Sequence, residues 1–221
     1  MGCDIHEFFE VRKNGKWEYV PVQEKYEVGE ADEDGYRSVD YDEYFKDPPL
    51  YIGRSYNLFS ILADVRNGYG FAGYDTGEGF VPISKPRGYP KDASEEARKA
   101  SEDYDVDGHS HSWVTLAELE AYDWNQTTKH RGYVDEKQFK VYEEKGKPEE
   151  CCGGIGGGSV LIVGNDTMRK GKKPKGRDMY TQVEWEETYA DSVRWFIDRV
   201  IPALRELGKP ENVRMVFFFD N

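Results

Sequence analysis

Cysteine is scarce in this sequence. The 221 residues include three cysteines, Cys3, Cys151 and Cys152, and no C-x-x-C spacing. A zinc knuckle or a disulfide-stapled scaffold needs more thiols at characteristic spacings, so both classes are disfavoured. Adjacent cysteines such as Cys151 and Cys152 rarely bridge each other, because the geometry is strained. We therefore expect reduced thiols, as is usual in a cytosol.

Long apolar runs are also missing. No stretch approaches the roughly 20 apolar residues that are needed to span a bilayer. The N-terminal segment MGCDIHEFFE has neither the basic region nor the apolar region of a secretory signal. From these two absences we expect a cytoplasmic protein that does not associate with a membrane.

Positive charge is the third shortage. The chain has 30 Lys and Arg residues against 43 Asp and Glu residues, which gives a formal net charge of −13 at pH 7. Because nucleic-acid affinity depends on neutralising phosphates with Lys and Arg, we do not expect a nucleic-acid partner. The basic stretch KGKKPKGR at 170–177 is typical of a solvated loop. A small-molecule ligand suits this composition better than a polymer.

The apolar pattern that is present predicts an α+β fold. Residues 3–22 are expected to form a β-hairpin that turns at Asn14-Gly15, and NVRMVFFFDN predicts a final strand. We expect the first and last strands to be neighbours in a mostly antiparallel sheet, packed by two or three helices and joined by long irregular loops. The whole of 1–221 is interpreted as a single domain, with an acidic, Tyr-rich insertion at 23–49.

Helices are expected in several segments. One is predicted over 53–68, with Ser55 as its N-cap, and another begins near Leu116 after a capping box. The longest is predicted over 183–207, where Pro202 should kink the helix or mark a break in it. Its apolar stripe consists of Val193, Phe196, Ile197, Val200, Ile201 and Leu204. The polar segment 125–150 is interpreted as helix-prone, and SVLIV at 159–163 as a buried strand.

Two short stretches concentrate side chains that can do chemistry. The first contains Asp4 and His6, and the second, DGHSHSW, contains His109 and His111. Residues two apart in a strand point to the same side, so each pair is expected to share a face, with Trp113 on the side of His109 and His111. The alternative is that these are surface or partly buried histidines without a chemical role.

Facing pairs would place three imidazoles beside a carboxylate. The residues Asp4, His6, His109 and His111 would then form a divalent-metal site suited to Zn, Mn or Fe. A metal-activated water there could attack a phosphoester. Without a metal, His6, His109 and His111 could act as general acid and base, because imidazole titrates near neutrality.

Arginines form a second group of candidate residues. Arg54, Arg66 and Arg87 lie at helix ends or in a Gly/Pro-rich loop. The guanidinium fork matches phosphate oxygens, so these residues are candidate ligand-binding groups, and we include Asn67 with them. Trp113 could stack on a base. The alternative for the arginines is pairing with some of the many acidic residues.

Five motifs resemble those of a group of proteins encoded in bacteriophage genomes. They are the opening MGCDIH, the central SYNLFSILADVRN, RGYP followed by DAS, HSHSW before a helix, and the closing VRMVFFFDN. The resemblance covers most of the chain except 23–49. It implies a phage context and hence a host cytoplasm, and it implies no particular activity or catalytic residue.

Three functions are left as alternatives. The first is recognition of a small anionic, nucleotide-type ligand, which in a phage would counter host defence signalling. The second is a metal-dependent or His-based hydrolase of the phosphodiesterase type. The third is an acidic interaction protein that masks a host factor with its 23–49 segment. The first is favoured, and a binding site shared between subunits of a homo-oligomer stays open.

Overall fold

The computed structural model describes residues 2–21, 27–33, 35, 38–39 and 50–221. In chain order the strands are β1 (Asp4–Lys13), β2 (Lys16–Tyr19), β3 (Glu27–Val28), β4 (Ser38–Val39), β5 (His109–Thr115), β6 (Thr127–Asp135), β7 (Val160–Ile162), β8 (Asp178–Thr188) and β9 (Val213–Asp220). The α-helices are α1 (Tyr56–Ala63), α2 (Glu95–Tyr104), α3 (Leu116–Ala121), α4 (Glu136–Lys145), α5 (Asn165–Lys170), α6 (Tyr189–Ser192) and α7 (Ile201–Leu207). A π-helical turn, Phe196–Val200, precedes α7.

The central sheet has the strand order β2-β1-β9-β5, and every pair in it is antiparallel. Asp4 lies opposite Asp220 and Val11 opposite Val213, so β1 and β9 pair along their lengths. The predicted α+β class and the adjacency of the first and last strands are therefore confirmed. The helices are more numerous than the two or three predicted.

Strand β9 is buried on both faces because the central sheet is covered on both sides. Phe219 contacts Phe59 of α1, with ring centroids 5.0 Å apart. On the opposite face, Phe218 contacts Tyr104 of α2 at 5.2 Å. A continuous apolar run such as VRMVFFF suits a strand in this position, since no side of it meets water.

A second sheet has the order β6-β8-β7, with β6 antiparallel and β7 parallel to β8. Its inner face carries a small apolar cluster formed with α4 and α5, which contains Val134, Phe139, Met168, Met179 and Val183. The main cluster, on the central sheet, is separate from it and includes Phe9, Phe59, Leu204, Phe217 and Phe219. The described residues thus form two apolar cores of unequal size.

Several local predictions are confirmed. Asn14 and Gly15 both have positive φ (50° and 83°), as a type I′ hairpin turn requires. The Ser55 side chain caps α1, and Thr115 forms a reciprocal capping box with Glu118 at the start of α3. Helix α1 is shorter than predicted, because Asp64 adopts a left-handed conformation (φ 60°) and ends it.

Two segment predictions are wrong. The helix predicted over 183–207 begins as strand β8, whose buried residues Met179, Thr181 and Val183 alternate with exposed ones, and helical structure starts at Tyr189. The helix-prone segment 125–150 contains strand β6 before α4. In the C-terminal half of the first segment, five of the six residues of the predicted apolar stripe are buried, and Ile197 is partly buried. Pro202 lies in the first turn of α7, directly after the π-helical turn Phe196–Val200, so the change in helical hydrogen bonding falls beside the proline.

The acidic segment at 23–49 falls largely outside the described residues. Its described part contains β3 and β4, which pair antiparallel. All three cysteines are free thiols. Within the described part of the chain, none of the helices combines the length and apolarity needed to cross a membrane.

Candidate functional site

One end of the central sheet gathers most of the candidate residues. Strands β1 and β5 begin there and β9 ends there, because β9 runs antiparallel to both. Asp4, His6 and His109 therefore lie close to Asp220 and Asn221. The two ends of the chain and the DGHSHSW stretch, which are far apart in sequence, form one region.

A β-bulge separates the two histidines of DGHSHSW. Ser110 has a left-handed backbone (φ 52°), and the pairing register shifts between His109 and Ser112. His109 consequently packs on Phe219 and His111 on Phe218, with ring centroids 6.1 Å and 5.1 Å apart. Since adjacent strand residues point to opposite faces, the prediction that His109 and His111 share a face is wrong.

His6 and His111 occupy the same face but do not converge. Strands β1 and β5 lie on either side of β9, and Phe218 stands between the two imidazoles, 4.8 Å from His6 and 5.1 Å from His111. The Nε2 atom of His6 lies 3.2 Å from Asp220 Oδ2. The Nε2 atom of His111 lies 2.7 Å from Ser101 Oγ. The predicted facing pairs are therefore wrong, because both strands belong to one sheet.

Burial lowers the pKa of His111 below its ordinary value, and His109 nearby adds to that effect. Among the residues that the structure describes, no group of three or more His, Cys, Asp or Glu side chains is arranged to hold a metal ion. Asp4 instead receives two hydrogen bonds from Arg54, Nε to Oδ1 at 2.7 Å and Nη2 to Oδ2 at 2.5 Å.

Arg87 and Trp113 lie away from this end of the sheet. Arg87 donates to both carboxylate oxygens of Glu118, at 3.1 and 2.6 Å, and its guanidinium lies 4.7 Å from the centre of the Trp113 ring. These contacts join the 80–90 loop to α3. Asn67 has a similar structural part, since its amide bonds the backbone N–H and carbonyl of Phe80, at 2.7 and 2.8 Å.

Arg66 and His109 do come together, in a concavity of about 510 Å³. We name it the Arg66 concavity, and its lining residues are Asp64, Val65, Arg66, His109, Ser110 and Asn221. Six described residues other than glycine have a positive φ, and three of them line it: Asp64, Arg66 and Ser110, at 60°, 57° and 52°. Each such residue costs roughly 1–2 kcal/mol, and strained backbone of this kind concentrates at functional sites.

A directed chain of hydrogen bonds crosses the concavity. Arg66 Nη2 donates to Asn221 Oδ1 at 3.0 Å. Asn221 Nδ2 lies 3.0 Å from His109 Nε2, and His109 Nδ1 lies 3.0 Å from Ser110 Oγ. An amide nitrogen can only donate, so His109 Nε2 accepts, and the ring proton is assigned to Nδ1, which donates to Ser110. Ser110 keeps its own O–H for a further acceptor.

The electrostatics agree with a neutral imidazole in this chain. Burial lowers the pKa of His109 below its ordinary value, and the positive charge of Arg66 lowers it further. Arg66 also donates to the Gly2 carbonyl at 3.2 Å, and its guanidinium lies 5.6 Å from the centre of the Tyr56 ring. The result is an ordered guanidinium and a hydroxyl donor that border the same space.

Three polar lining residues were not among the predicted site residues: Asp64, Ser110 and Asn221. The backbone conformation of Asp64 and Ser110 is set by tertiary packing, which a single sequence does not display. Asn221 depends on the pairing of β9 with β5. The sequence signal for Asn221 is the terminal motif FDN, because it ends the strand that is predicted to pair with the first strand, which carries His6.

Comparisons with known proteins found no relative of this chain. No protein-family model, curated protein or solved structure matches the chain.

Proposed function

We propose that the protein binds a small phosphate-bearing, nucleotide-type ligand in the Arg66 concavity. The observation that carries this proposal is the hydrogen-bond chain from Arg66 through Asn221 and His109 to Ser110. Polarisation by the guanidinium at one end strengthens the bonds that follow it. The O–H of Ser110 and the guanidinium together suit an anion, because charge-assisted hydrogen bonds are the stronger ones.

Asp64 supports the nucleotide-type interpretation of that anion. Its Oδ1 accepts a hydrogen bond from Asn67 Nδ2 at 2.7 Å, which orients the carboxylate. A carboxylate repels phosphate but accepts hydrogen bonds from sugar hydroxyls, as in dinucleotide-binding folds. A ligand with a phosphate near Arg66 and Ser110 and a ribose near Asp64 would satisfy both ends of the concavity.

Hydrolysis has less support as the activity of this region. Both ring nitrogens of His109 are engaged, and Nε2 of His111 is engaged with Ser101 on the other face of the sheet. A general base needs a nitrogen that can reach a substrate proton. In the phage context that the resemblance implies, sequestration of a host nucleotide signal is the role we assign to such binding.

Calorimetric titration tests this proposal. Nucleoside 5′-monophosphates are titrated beside the matching nucleosides, and we expect the monophosphates to bind at least about tenfold tighter. Ser110→Gly removes the hydroxyl without backbone strain and should weaken the monophosphate about tenfold. Arg177→Lys, at an exposed arginine outside the concavity, is the matched control for Arg66→Lys.

Two results would refute the proposal. One is equal affinity for nucleoside and monophosphate, and the other is unchanged affinity in both Ser110→Gly and Arg66→Lys. Chromatography of the titrated samples separates binding from turnover. Appearance of nucleoside or inorganic phosphate would replace the binding proposal with the hydrolase alternative.

A further inference from the structure

A second concave region lies between the two apolar cores. One concavity of about 340 Å³ is lined by residues that include Tyr56, His130, Cys151, Trp185 and Glu187. A second, of about 500 Å³, shares Cys151, Trp185 and Glu187 with it. The two therefore adjoin at these residues, and we name them together the Trp185 cleft. Ligand sites often lie at such junctions between packed units.

The two walls of the cleft come from different cores. Tyr56 begins α1 and packs against the main cluster, whereas Trp185 on β8 packs against the small cluster. His130 on β6 stacks on one face of Trp185, with ring centroids 5.4 Å apart and planes 21° from parallel. The ring is thus held in place by its neighbours.

A carboxylate with little solvent contact lies beside this ring. The side chain of Glu187 is 15% exposed. Its Oε1 lies 3.3 Å from His130 Nε2 and accepts a hydrogen bond from Ser192 Oγ at 3.2 Å. Burial lowers the pKa of His130, so the imidazole is neutral at pH 7 and does not balance the carboxylate. Burial raises the pKa of the Cys151 thiol, and the nearby charges of Cys152 and Glu187 raise it further.

In this structure Glu187 forms an ion pair with Lys147. Its Nζ lies 3.1 Å from Glu187 Oε2, and its side chain is 50% exposed. A long, half-exposed side chain exchanges readily with water, so this ion pair is weak. Arg131, also in the cleft, is held by two carboxylates, those of Asp75 and Glu184, at 2.7 and 2.6 Å.

Tyr56 adds an incomplete polar contact. Its hydroxyl oxygen is buried and has no hydrogen-bond partner among the described residues. The aromatic rings of Tyr56 and Trp185 and the carboxylate of Glu187 resemble the composition of sites that recognise ammonium groups.

We propose that the Trp185 cleft binds a small organic cation, an amine carried on an aromatic body. The ammonium group takes the place of Lys147 at Glu187, against the ring of Trp185. The lining of this site shares no residue with that of the Arg66 concavity, although the Tyr56 ring also contacts the Arg66 guanidinium. The inference does not rest on the function proposed for that concavity.

Three probes with the same aromatic body and different charge test the inference. Phenethylamine, 2-phenylethanol and phenylacetate are titrated into the full chain by calorimetry. The amine should bind about tenfold tighter than the alcohol, since a charged hydrogen bond is worth that factor or more. Phenylacetate should bind weakest of the three. Tightest binding by phenylacetate, or no binding by the amine, would overturn the proposal.

Substitutions at Lys147 and at Glu187 should change the affinity for phenethylamine in opposite directions. Lys147→Met removes the competing ammonium and should tighten phenethylamine binding several-fold. Lys140→Met is its matched control, because Lys140 makes an ion pair of the same length, 3.1 Å, with Glu136 outside the cleft. Weaker amine binding in Lys147→Met would contradict the proposal.

The Tyr56→Phe variant changes a wall of the cleft without an expected folding defect. It deletes a hydroxyl that has no protein partner among the described residues, so the melting temperature should not fall. Because this hydroxyl is buried, amine affinity should not change either, and Tyr56→Phe serves as a control at the wall of the cleft. Glu187→Gln should abolish the preference for the amine over the alcohol. Unchanged amine binding in Glu187→Gln would assign the probe to another surface and refute the inference.

Discussion

Replacing Arg214 with methionine should lower the free energy of unfolding by about 3–5 kcal/mol, the usual cost of leaving a buried charge without its partner. Arg214 lies on β9 and is 3% exposed, and Glu10 on β1 is fully buried. Arg214 Nε donates to Glu10 Oε2 at 2.7 Å. Its guanidinium also lies 4.0 Å from the centre of the Trp17 ring.

The size of the expected loss of stability follows from the environment of Glu10 in the Arg214→Met variant. Glu10 would keep one hydrogen bond, from the backbone N–H of Ser94 at 2.7 Å, and would keep its full burial. A carboxylate in that position has no solvent to replace the lost guanidinium. A domain of this size shifts its Tm by about 2–4 °C per kcal/mol, so the melting temperature should fall by roughly 6–20 °C.

An exposed arginine provides the matched control. Arg98 donates to Glu102 at 2.6 Å, nearly the same distance, but both side chains are more than half exposed. Arg98→Met should cost only about 0.3–0.5 kcal/mol, as i,i+4 surface pairs do. Urea unfolding of both variants, followed by circular dichroism, measures the difference directly.

A double variant separates burial from pairing. Glu10→Met together with Arg214→Met removes both charges, and it should recover much of the stability lost in Arg214→Met alone. If Arg214→Met is no more destabilising than Arg98→Met, the assignment of a strong buried ion pair to the β1–β9 ladder is wrong.

Three other predictions concern single side chains. Ser110→Gly should raise the free energy of unfolding by about 0.5–1 kcal/mol, because glycine relieves a left-handed backbone, and denaturant titration measures the gain. Burial raises the pKa of Glu7 to about 7 from near 4.5, so the folded state holds the extra proton between those values. Its stabilising contribution is complete below about pH 4.5 and is lost as the pH rises through 7, and Glu7→Gln should flatten stability measured from pH 5 to pH 8. Asn67→Ala removes hydrogen bonds at 2.7 and 2.8 Å to the backbone of Phe80 and should cost about 2–3 kcal/mol, with faster hydrogen exchange in the 68–80 loop.

Each of these three has a contradicting result. A loss of stability in Ser110→Gly greater than in Ser159→Gly, at a residue without positive φ, would remove the argument from strain. A pH slope that persists in Glu7→Gln would place the titrating group elsewhere. Unchanged exchange in the loop of Asn67→Ala would show that other contacts hold it.

The sheet could be predicted from the sequence because its signals are local and strong. Asn14-Gly15 specifies the hairpin turn, and the apolar run of β9 demands a strand covered on both faces. Strand β8 could not be recognised with the same ease. Its alternation from Met179 to Val183 lies close to the helical stripe from Val193 to Leu204. The helical stripe is the stronger pattern, and the predicted helix therefore includes residues that belong to the strand.

The candidate site was predicted only in part. Arg66 and His109 were expected as functional residues and lie in one concavity, yet the bulge at Ser110 reversed the face of His109. Such a bulge depends on how β5 pairs with β9, which are about 100 residues apart, and neither Ser110 nor its neighbours carry a glycine signal. Arg54 and Arg87 have the predicted fork geometry, but their partners are carboxylates of the same chain.

The pairing of β1 with β9 has a consequence for synthesis in the cell. The hydrogen bond from Asp4 N to Asp220 Oδ1 joins residues 216 positions apart. At about 5–20 residues per second, a ribosome makes β9 roughly 10–40 s after β1. During that interval the N-terminal hairpin has an unpaired apolar edge, and sheets dominated by such distant contacts also fold slowly. The central sheet can therefore be completed only after β9 has been made.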